Sequence, residues 1–314
     1  MARVLSIAAV LGLLLASALA FAITEKAKVT LSPIRSTEVP RPVFSPNAAD
    51  PAHRVATVSF RLRTSQRITV WMQDAHGHRV ETLLPVRSER RGAAIVLQWD
   101  GVASNGIVLP DGVYRPVVKL EGSHLTTVLP NPIRIDTKQP HIVVPKPLHA
   151  VISPDGDHHK DFFQVGYHVS EPAHGVLFVR AGGKQQRVEY TLSQKLTGDL
   201  VWNGKIGQKA VRPGSYLLSV AAQDRAGNLS KPYPFAVVDV RYVSLGRPRI
   251  VVKPGNRFAI RVSADAPTVQ WRLHGRSGTA TPGTLHFRAP RSTGVFFLYV
   301  FVGTHAARCA VVVG

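Results

Sequence analysis

Apolar and polar residues alternate with a period of two along much of the chain. Val58, Phe60 and Leu62 alternate with polar residues, and a second alternating run extends from Phe163 to Val169. This period places one face of a strand in a core and the other face in water. Similar short runs recur between turns rich in glycine and proline, and no long amphipathic helical stretch follows residue 25. The pattern predicts an all-β protein built from sandwiches or barrels.

Two segments carry the same landmarks in the same order, which indicates two copies of one β-module. Each copy begins with Ser-Pro and a polar loop, "SPNAADPAH" in the first and "SPDGDHHKD" in the second, and an alternating strand follows. Each copy later has a tryptophan, an acid or amide and a glycine, and then a strand that starts with Gly-x-Tyr. The landmarks are Trp99, Asp100, Gly101 and Tyr114 in copy one and Trp202, Asn203, Gly204 and Tyr216 in copy two.

These landmarks have a structural explanation. An Asp-Gly or Asn-Gly pair after a tryptophan supplies the positive φ of a turn that ends a strand. The tryptophan is large enough to fill the space between two sheets. A tyrosine at the start of a strand can bury its ring while its hydroxyl finds a local hydrogen-bond partner. We therefore predict packing roles for both sets of residues rather than ligand binding.

The order of the landmarks resembles the Ig-like domain of the flagellar hook-capping protein FlgD, a module also found in many exported bacterial proteins. The copy-one span "WDGVASNGIVLPDGVY" follows that family's pattern, whereas "WNGKIGQKAVRPGSY" in copy two has Asn203 in place of the acid and shifted glycines. The resemblance covers roughly residues 40–240 and implies two Ig-like β-sandwiches. It implies little about function, because one fold serves many functions. Hook capping is not expected, because an apolar stretch stands where the namesake has its assembly segment.

Residues 4–23 form an uncharged and mainly apolar run of twenty residues. Twenty helical residues are long enough to cross a hydrocarbon core of about 30 Å. Alanines at positions 18, 20 and 22 fit signal-peptidase sites, but the run is longer than a usual signal core, which favours an uncleaved anchor. We therefore predict a single-pass protein of the cell membrane with extracytoplasmic C-terminal domains. Secretion after cleavage of a signal peptide is the alternative.

The predicted architecture is a series of Ig-like β-sandwiches, two FlgD-like and one small and C-terminal, after one N-terminal hydrophobic helix. The last domain contains "GVFFLYVFVG", whose continuous apolar character predicts a central strand. The predicted segments are a signal peptide or signal-anchor helix over 1–24, a linker over 25–39, FlgD-like Ig domains over 40–136 and 137–243, and a basic Ig-like β-domain over 244–314.

Positive charge is concentrated near the C-terminus. The chain has 39 Lys and Arg against 19 Asp and Glu, and residues 241–314 hold eleven of these bases with one acid, Asp265. A basic domain indicates a polyanionic neighbour, although the arginine-rich composition of a GC-rich genome is a competing explanation. Outside the cytoplasm, polyanions are cell-wall polymers, acidic glycans and lipid headgroups, and no nucleic-acid partner is predicted. The candidate polyanion-binding residues are Arg247, Arg249, Lys253, Arg257, Arg272 and Arg276.

The stretch "SPDGDHHKD" has the composition of a metal-binding loop. Asp155, Asp157 and Asp161 stand at relative positions 1, 3 and 7, and calcium takes about six to eight oxygen ligands from compact loops. The EF-hand pattern is not met, because Lys160 stands where that loop requires glycine. An Asx-type turn, in which aspartates accept backbone N–H bonds before the next strand, needs no metal. The turn is the favoured interpretation, and weak Ca²⁺ binding by the three aspartates is the alternative.

No combination of residues in the sequence predicts catalysis. The chain has no His-Glu-x-x-His, no Gly-x-Ser-x-Gly, no glycine-rich phosphate loop and no Cys-x-x-Cys. We therefore predict a non-enzymatic cell-envelope or surface protein with no cofactor beyond optional calcium. Its Ig-like modules would act as a spacer or as an adhesive arm that contacts envelope polymers or other surface proteins. Polyanion binding through the basic C-terminal domain is the first alternative, and an accessory subunit of an extracellular enzyme is the second.

Overall fold

The computed structural model of the protein describes residues 10, 12–22, 32–145 and 148–314. Residues 10 and 12–22 are helical, and the rest of the predicted signal or anchor segment over 1–24 lies outside the described residues. Within the described residues, no helix has the length and apolar character needed to cross a membrane. From residue 34 onward the described chain is built mainly from strands, so the predicted all-β fold is confirmed.

The chain divides into two compact units, Met1–Thr137 and Lys138–Gly314. The first unit contains one β-sandwich, in which a three-stranded sheet (β1-β3-β6) and a six-stranded sheet (β2-β9-β7-β4-β5, with β8 beside β7) enclose one hydrophobic core. Its elements are β1 (Ile34–Glu38), β2 (Val43–Phe44), a short 3-10 helix (Pro51–His53), β3 (Ala56–Leu62), β4 (Gln66–Gln73), β5 (Arg79–Glu89), β6 (Ala94–Trp99), β7 (Gly112–Leu120), β8 (Leu125–Val128) and β9 (Ile133–Ile135).

The alternating pattern of copy one forms an inward face of β3. Val58, Phe60 and Leu62 are all at most 1% exposed, as the period of two predicts. β1 lies within the range predicted as a linker, 25–39. Its Ile34 pairs with Leu62 and is buried in the same core, so the first sandwich begins before residue 40.

The second unit starts with a sandwich around the copy-two landmarks. Its 19-residue strand β12 pairs with β14 along its first half and with β17 along its second half, so one strand serves both sides of the core. The strands are β10 (Ile142–Val143), β11 (Leu148–Ile152), β12 (Phe163–Ala181), β13 (Lys184–Tyr190), β14 (Lys195–Trp202), β15 (Lys205–Ile206), β16 (Lys209–Ala210), β17 (Gly214–Gln223) and β18 (Tyr233–Val240).

A smaller sandwich completes the second unit. A three-stranded sheet (β19-β21-β24) and a five-stranded sheet (β20-β26-β25-β22-β23) enclose a separate core that includes the single cysteine, Cys309, whose pKa is raised by burial. The strands are β19 (Ser244–Leu245), β20 (Arg249–Val252), β21 (Arg257–Ser263), β22 (Val269–Leu273), β23 (Arg276–Ala280), β24 (Gly283–Arg288), β25 (Gly294–Val302) and β26 (His305–Val313).

The apolar strand of "GVFFLYVFVG" is β25, and it is central, with β22 on one side and β26 on the other. The prediction of a central strand is therefore confirmed, although this strand is buried on one face only. Leu298, Val300 and Val302 are buried, whereas Phe297 is 41% and Val295 is 59% exposed. The second sheet of this sandwich covers only one face of β25, so the other face meets solvent.

Candidate functional site

Both repeated tryptophans and Tyr114 lie in the interiors of their modules, and Tyr216 is half-buried. Trp99 and Trp202 are each 1% exposed. The ring of Tyr114 contacts Trp99 edge-on at a centroid distance of 5.1 Å, and Tyr216 contacts Trp202 in the same way at 5.5 Å. Each tyrosine hydroxyl donates to the backbone carbonyl four residues earlier, at 2.8 Å in both copies. These contacts are the packing roles that the sequence predicts.

The Ser-Pro and Trp-x-Gly landmarks pack against each other in both modules. Gly101 and Gly204 have φ of 72° and 69°, as predicted for the turn after each tryptophan. A Cβ on Gly101 would lie 3.0 Å from Cγ of Pro46, and a Cβ on Gly204 would overlap Cγ of Pro154. Two landmarks about 50 residues apart in the sequence therefore form one contact, which explains why both are found in each copy.

The polar loop of copy two, residues 153–161, is named entry loop 2. Its carboxylates accept hydrogen bonds from the backbone of the loop itself. Asp161 accepts from the N–H of Gly156 at 2.7 Å and from the N–H of His158 at 2.8 Å. Asp157 accepts from the N–H of His159 at 2.8 Å. This is the hydrogen-bond pattern of the predicted Asx-type turn, and it closes the loop without any added group.

Asp155 differs from the other two aspartates because it is buried, at 1% exposed. The hydroxyl of Ser153 donates to its Oδ2 at 2.9 Å. Burial raises the pKa of Asp155 above the ordinary value of 3.8, the hydrogen bond from Ser153 works in the opposite direction, and the negative charge of Asp157 raises it further. The loop therefore holds a carboxylate in an environment that disfavours its charge.

The three aspartates of entry loop 2 each bring one carboxylate oxygen to within 4.8 Å of the others. This spacing would suit a cation, but the oxygens already accept the bonds described above, and Lys160 belongs to the same loop. Calcium binding by Asp155, Asp157 and Asp161 stays a prediction.

A second cluster of metal-ligand types lies in the exposed turn between β4 and β5. Asp74 Oδ1 accepts from the backbone N–H groups of His76 at 2.9 Å and His78 at 2.8 Å. The two imidazole side chains are about four-fifths exposed. This arrangement is a solvated turn, which is the interpretation that its Gly77 favours.

Entry loop 2 also contacts the small C-terminal sandwich. The carbonyl of Asp155 accepts from the backbone N–H of Thr304 at 2.7 Å and from its hydroxyl at 3.1 Å. Thr304 lies in the turn between β25 and β26, next to Gly303, whose φ is +50°. A Cβ on Gly303 would overlap the same carbonyl oxygen, so the approach of the two sandwiches requires glycine there.

Two further contacts lie between the same two sandwiches, and together with the bonds to the Asp155 carbonyl they are named the joint. The imidazole of His305 stacks on the ring of Tyr242 with centroids 3.8 Å apart and planes within 5° of parallel. His159 Nδ1 lies 3.4 Å from a carboxylate oxygen of Asp265, the one acid of residues 241–314. A cleft of about 470 Å³ opens beside these contacts. Sequence reasoning missed the joint, although the extra charged and imidazole side chains of entry loop 2, relative to copy one, were an available signal.

The six candidate polyanion-binding residues do not form one patch. Arg249 and Arg272 lie on the outer face of the five-stranded sheet, on β20 and β22. Arg257 lies on the outer face of the other sheet, directly opposite Arg288 of β24. Arg276 begins the edge strand β23. The other two, Arg247 and Lys253, are exposed on either side of β20.

A groove of about 530 Å³ joins part of this basic set. It runs past the edge strands β23 and β24, and it is lined by Arg257, Arg276 and Arg288 with the imidazole of His286, beside Trp271. Like charges directly opposite each other on neighbouring strands disfavour the folded state. The pair of Arg257 and Arg288 therefore places two uncompensated positive charges beside each other at this groove.

No protein-family profile and no curated protein matches this chain. Among solved structures, the fibronectin(III)-like modules of Clostridium thermocellum CbhA match at 13% identity over 66% of this chain and 95% of theirs, with a TM-score of 0.34. An I-band fragment of titin matches at 9% identity over 90% of this chain and 99% of its own, with a TM-score of 0.28. Native E. coli alpha-2-macroglobulin matches at 12% identity over 89% of this chain and 22% of its own, with a TM-score of 0.25. At these scores the description as β-sandwiches rests on the sheets themselves.

Proposed function

We propose that this protein is a non-enzymatic interaction arm of the cell envelope, in which β-sandwiches hold a basic C-terminal domain in a fixed orientation. The observation that carries this proposal is the joint between entry loop 2 and the turn at Gly303 and Thr304. Two hydrogen bonds to one carbonyl and a parallel ring stack fix both distance and angle, which a spacer requires. A flexible tether would need none of these contacts.

Substitution of Gly303 by alanine tests the joint. The new Cβ would overlap the carbonyl of Asp155 and should separate the two sandwiches. Hydrogen exchange of the Thr304 N–H should then rise to the rate of an open turn. Gly275→Ala is the matched control, because Gly275 has a φ of +73° in another hairpin turn of the same domain and nothing within 4 Å of its Cβ position. Equal protection of Thr304 in both variants would contradict a fixed joint.

The envelope location is also a proposal, and the apolar run over residues 4–23 supports it. Either a membrane anchor or a cleaved signal would place the sandwiches outside the cytoplasm. Cell fractionation followed by N-terminal sequencing separates the two forms. We expect the chain in the membrane fraction with its first residues intact. Recovery of the intact chain from the cytosol would contradict both.

A second candidate function is docking of the C-terminal domain onto a polyanion. Asp265 faces His159, and no ion pair joins Arg257, Arg272 or Arg288 to an acid within the described residues. Their charge is therefore left for an external anion. Binding to polygalacturonate should be lost at about 1 M salt, where the screening length falls to about 3 Å. Binding that is insensitive to salt, or no binding at low salt, would contradict this candidate.

A further inference from the structure

We propose that the outer face of the five-stranded C-terminal sheet binds an acidic polysaccharide chain. This face, named the aromatic face, is defined by Phe297, Tyr299 and Phe301 of β25 with Arg272 of β22 and Arg308 of β26. The proposal rests on the polyanion-docking candidate above, and it names the surface and the class of polymer.

The aromatic face is a ladder of three rings along one strand. Because Leu298, Val300 and Val302 face the core, Phe297 and the two rings that follow it at alternate positions face outward. The ring centroids are 6.2 Å apart for the first pair and 6.1 Å for the second, and the planes of the second pair lie within 19° of each other. Phe297 is 41% exposed and Tyr299 and Phe301 are half-buried, so the row of rings is accessible to a ligand along its length.

Two arginines are fixed on this ladder. Tyr299 is the direct cross-strand partner of Arg272 on one side and of Arg308 on the other. The guanidinium of Arg272 lies 5.5 Å from the ring centroid of Phe301, and that of Arg308 lies 5.6 Å from the ring centroid of Phe297. A guanidinium held over a ring keeps its N–H edges for a carboxylate or sulfate, and holding it in advance lowers the entropy cost of binding.

The form of the face points to a sugar polymer rather than a small anion. From Phe297 to Phe301 the strand spans about 13 Å, since each residue advances about 3.3 Å, and this is longer than one sugar ring. The weakly positive C–H face of a sugar ring suits the negative face of an aromatic ring such as that of Tyr299. The cations at both ends of the ladder suit acidic groups spaced along the chain. The guanidinium groups over the outer two rings would have to be desolvated on entering a bilayer, whereas they can hold the acidic groups of a polymer in water.

The test compares two pairs of arginines of the same domain, one pair on the aromatic face and one pair away from it. Titration of the full-length protein with polygalacturonate at low salt should show binding that Arg272→Gln/Arg308→Gln weakens at least about tenfold, through loss of charge-assisted hydrogen bonds. Arg261→Gln/Arg291→Gln removes the same charge from exposed positions to which no anion contact is assigned, and we expect less than about threefold loss from long-range attraction alone. Thermal melts of both double variants verify that each is folded.

Two further measurements separate ring stacking from charge. Tyr299→Ser should also weaken polygalacturonate binding without any change in charge, and polyglutamate, which lacks sugar rings, should bind more weakly than polygalacturonate. Equal losses from the two arginine pairs would overturn the aromatic-face proposal but leave polyanion docking intact. Stronger binding to oligothymidylate or to vesicles containing phosphatidylglycerol would overturn the choice of polymer class. Absence of binding to all four probes would overturn both.

Discussion

The two loops that open the modules share one design and differ in what they carry. Entry loop 1, residues 45–53, and entry loop 2, residues 153–161, both begin with a buried serine. In each loop the N–H of that serine donates to a carbonyl near the far end, at 3.0 Å in entry loop 1 and 2.8 Å in entry loop 2. In each, the following proline packs on the glycine after the tryptophan. The two loops therefore share the contacts that hold the chain where it enters each sandwich.

The differences concern how each loop is closed. Entry loop 1 ends in the 3-10 helix Pro51–His53, which Asp50 caps by accepting from the N–H of Ala52 at 2.9 Å. Entry loop 2 has no helix, and its His158 and Lys160 have φ of 70° and 53°, a region that side chains with a Cβ rarely adopt. Its carboxylates stabilise this backbone, and the loop directs a carbonyl to the C-terminal sandwich. Entry loop 1 therefore only closes its own turn, whereas entry loop 2 closes its turn and also contacts the C-terminal sandwich.

The contact between the proline and the glycine should be equally sensitive to substitution in both copies, and its loss is the largest expected effect on stability. Gly101→Ala and Gly204→Ala place a Cβ against a proline at positive φ, so each should lower the free energy of unfolding by about 2–4 kcal/mol. Gly106→Ala, at φ +80° with nothing within 4 Å, should cost only about 1 kcal/mol. Urea titrations measure all three. A large cost in one copy alone would break the equivalence of the modules.

Loss of a carboxylate that closes the loop should lower stability more in entry loop 2 than in entry loop 1. Asp161→Ala removes the acceptor of two backbone N–H groups and should cost about 2 kcal/mol. It should also expose the Thr304 N–H to exchange, because the carbonyl of Asp155 would no longer be held in place. Asp50→Ala removes a single cap bond from entry loop 1, so it should have the smaller effect on stability and none on Thr304. Unchanged protection of the Thr304 N–H in Asp161→Ala would show that the joint does not depend on closure of entry loop 2.

The contrast between the loops also marks what the sequence predicts. Alternation and the paired landmarks predicted the strands, the buried tryptophans and the positive φ of Gly101 and Gly204, because these depend on local backbone and side-chain size. The joint at Thr304 depends on a contact across about 150 residues, for which no local pattern exists. The aromatic face was missed because a continuous apolar run does not reveal which face of a strand a second sheet covers.

Exchanging the residue after Ser-Pro between the loops should have a smaller effect. Asp155 is buried with a raised pKa, so the folded state binds its proton more tightly than the unfolded state. Stability is therefore lost as the pH rises from 3.8 through the folded pKa, and Asp155→Asn should be more stable than wild type at pH 7, with a flatter pH profile. Asn47 is exposed, so Asn47→Asp should change stability by less than about 0.5 kcal/mol. Parallel profiles for wild type and Asp155→Asn would contradict this account of the buried carboxylate.

Calcium should have the smallest effect, because entry loop 2 closes with its own hydrogen bonds, as entry loop 1 does with fewer acids. One oxygen of Asp157 and both oxygens of Asp161 already accept backbone N–H bonds, which offset part of the negative charge that a cation would otherwise neutralise. Thermal melts in EDTA and in millimolar calcium should therefore give the same Tm. A rise in Tm with calcium that Asp157→Asn abolishes and Asp50→Asn does not would overturn this expectation. That result would make the ion a property of the copy-two loop, since entry loop 1 offers only Asn47 and Asp50 as comparable oxygen ligands.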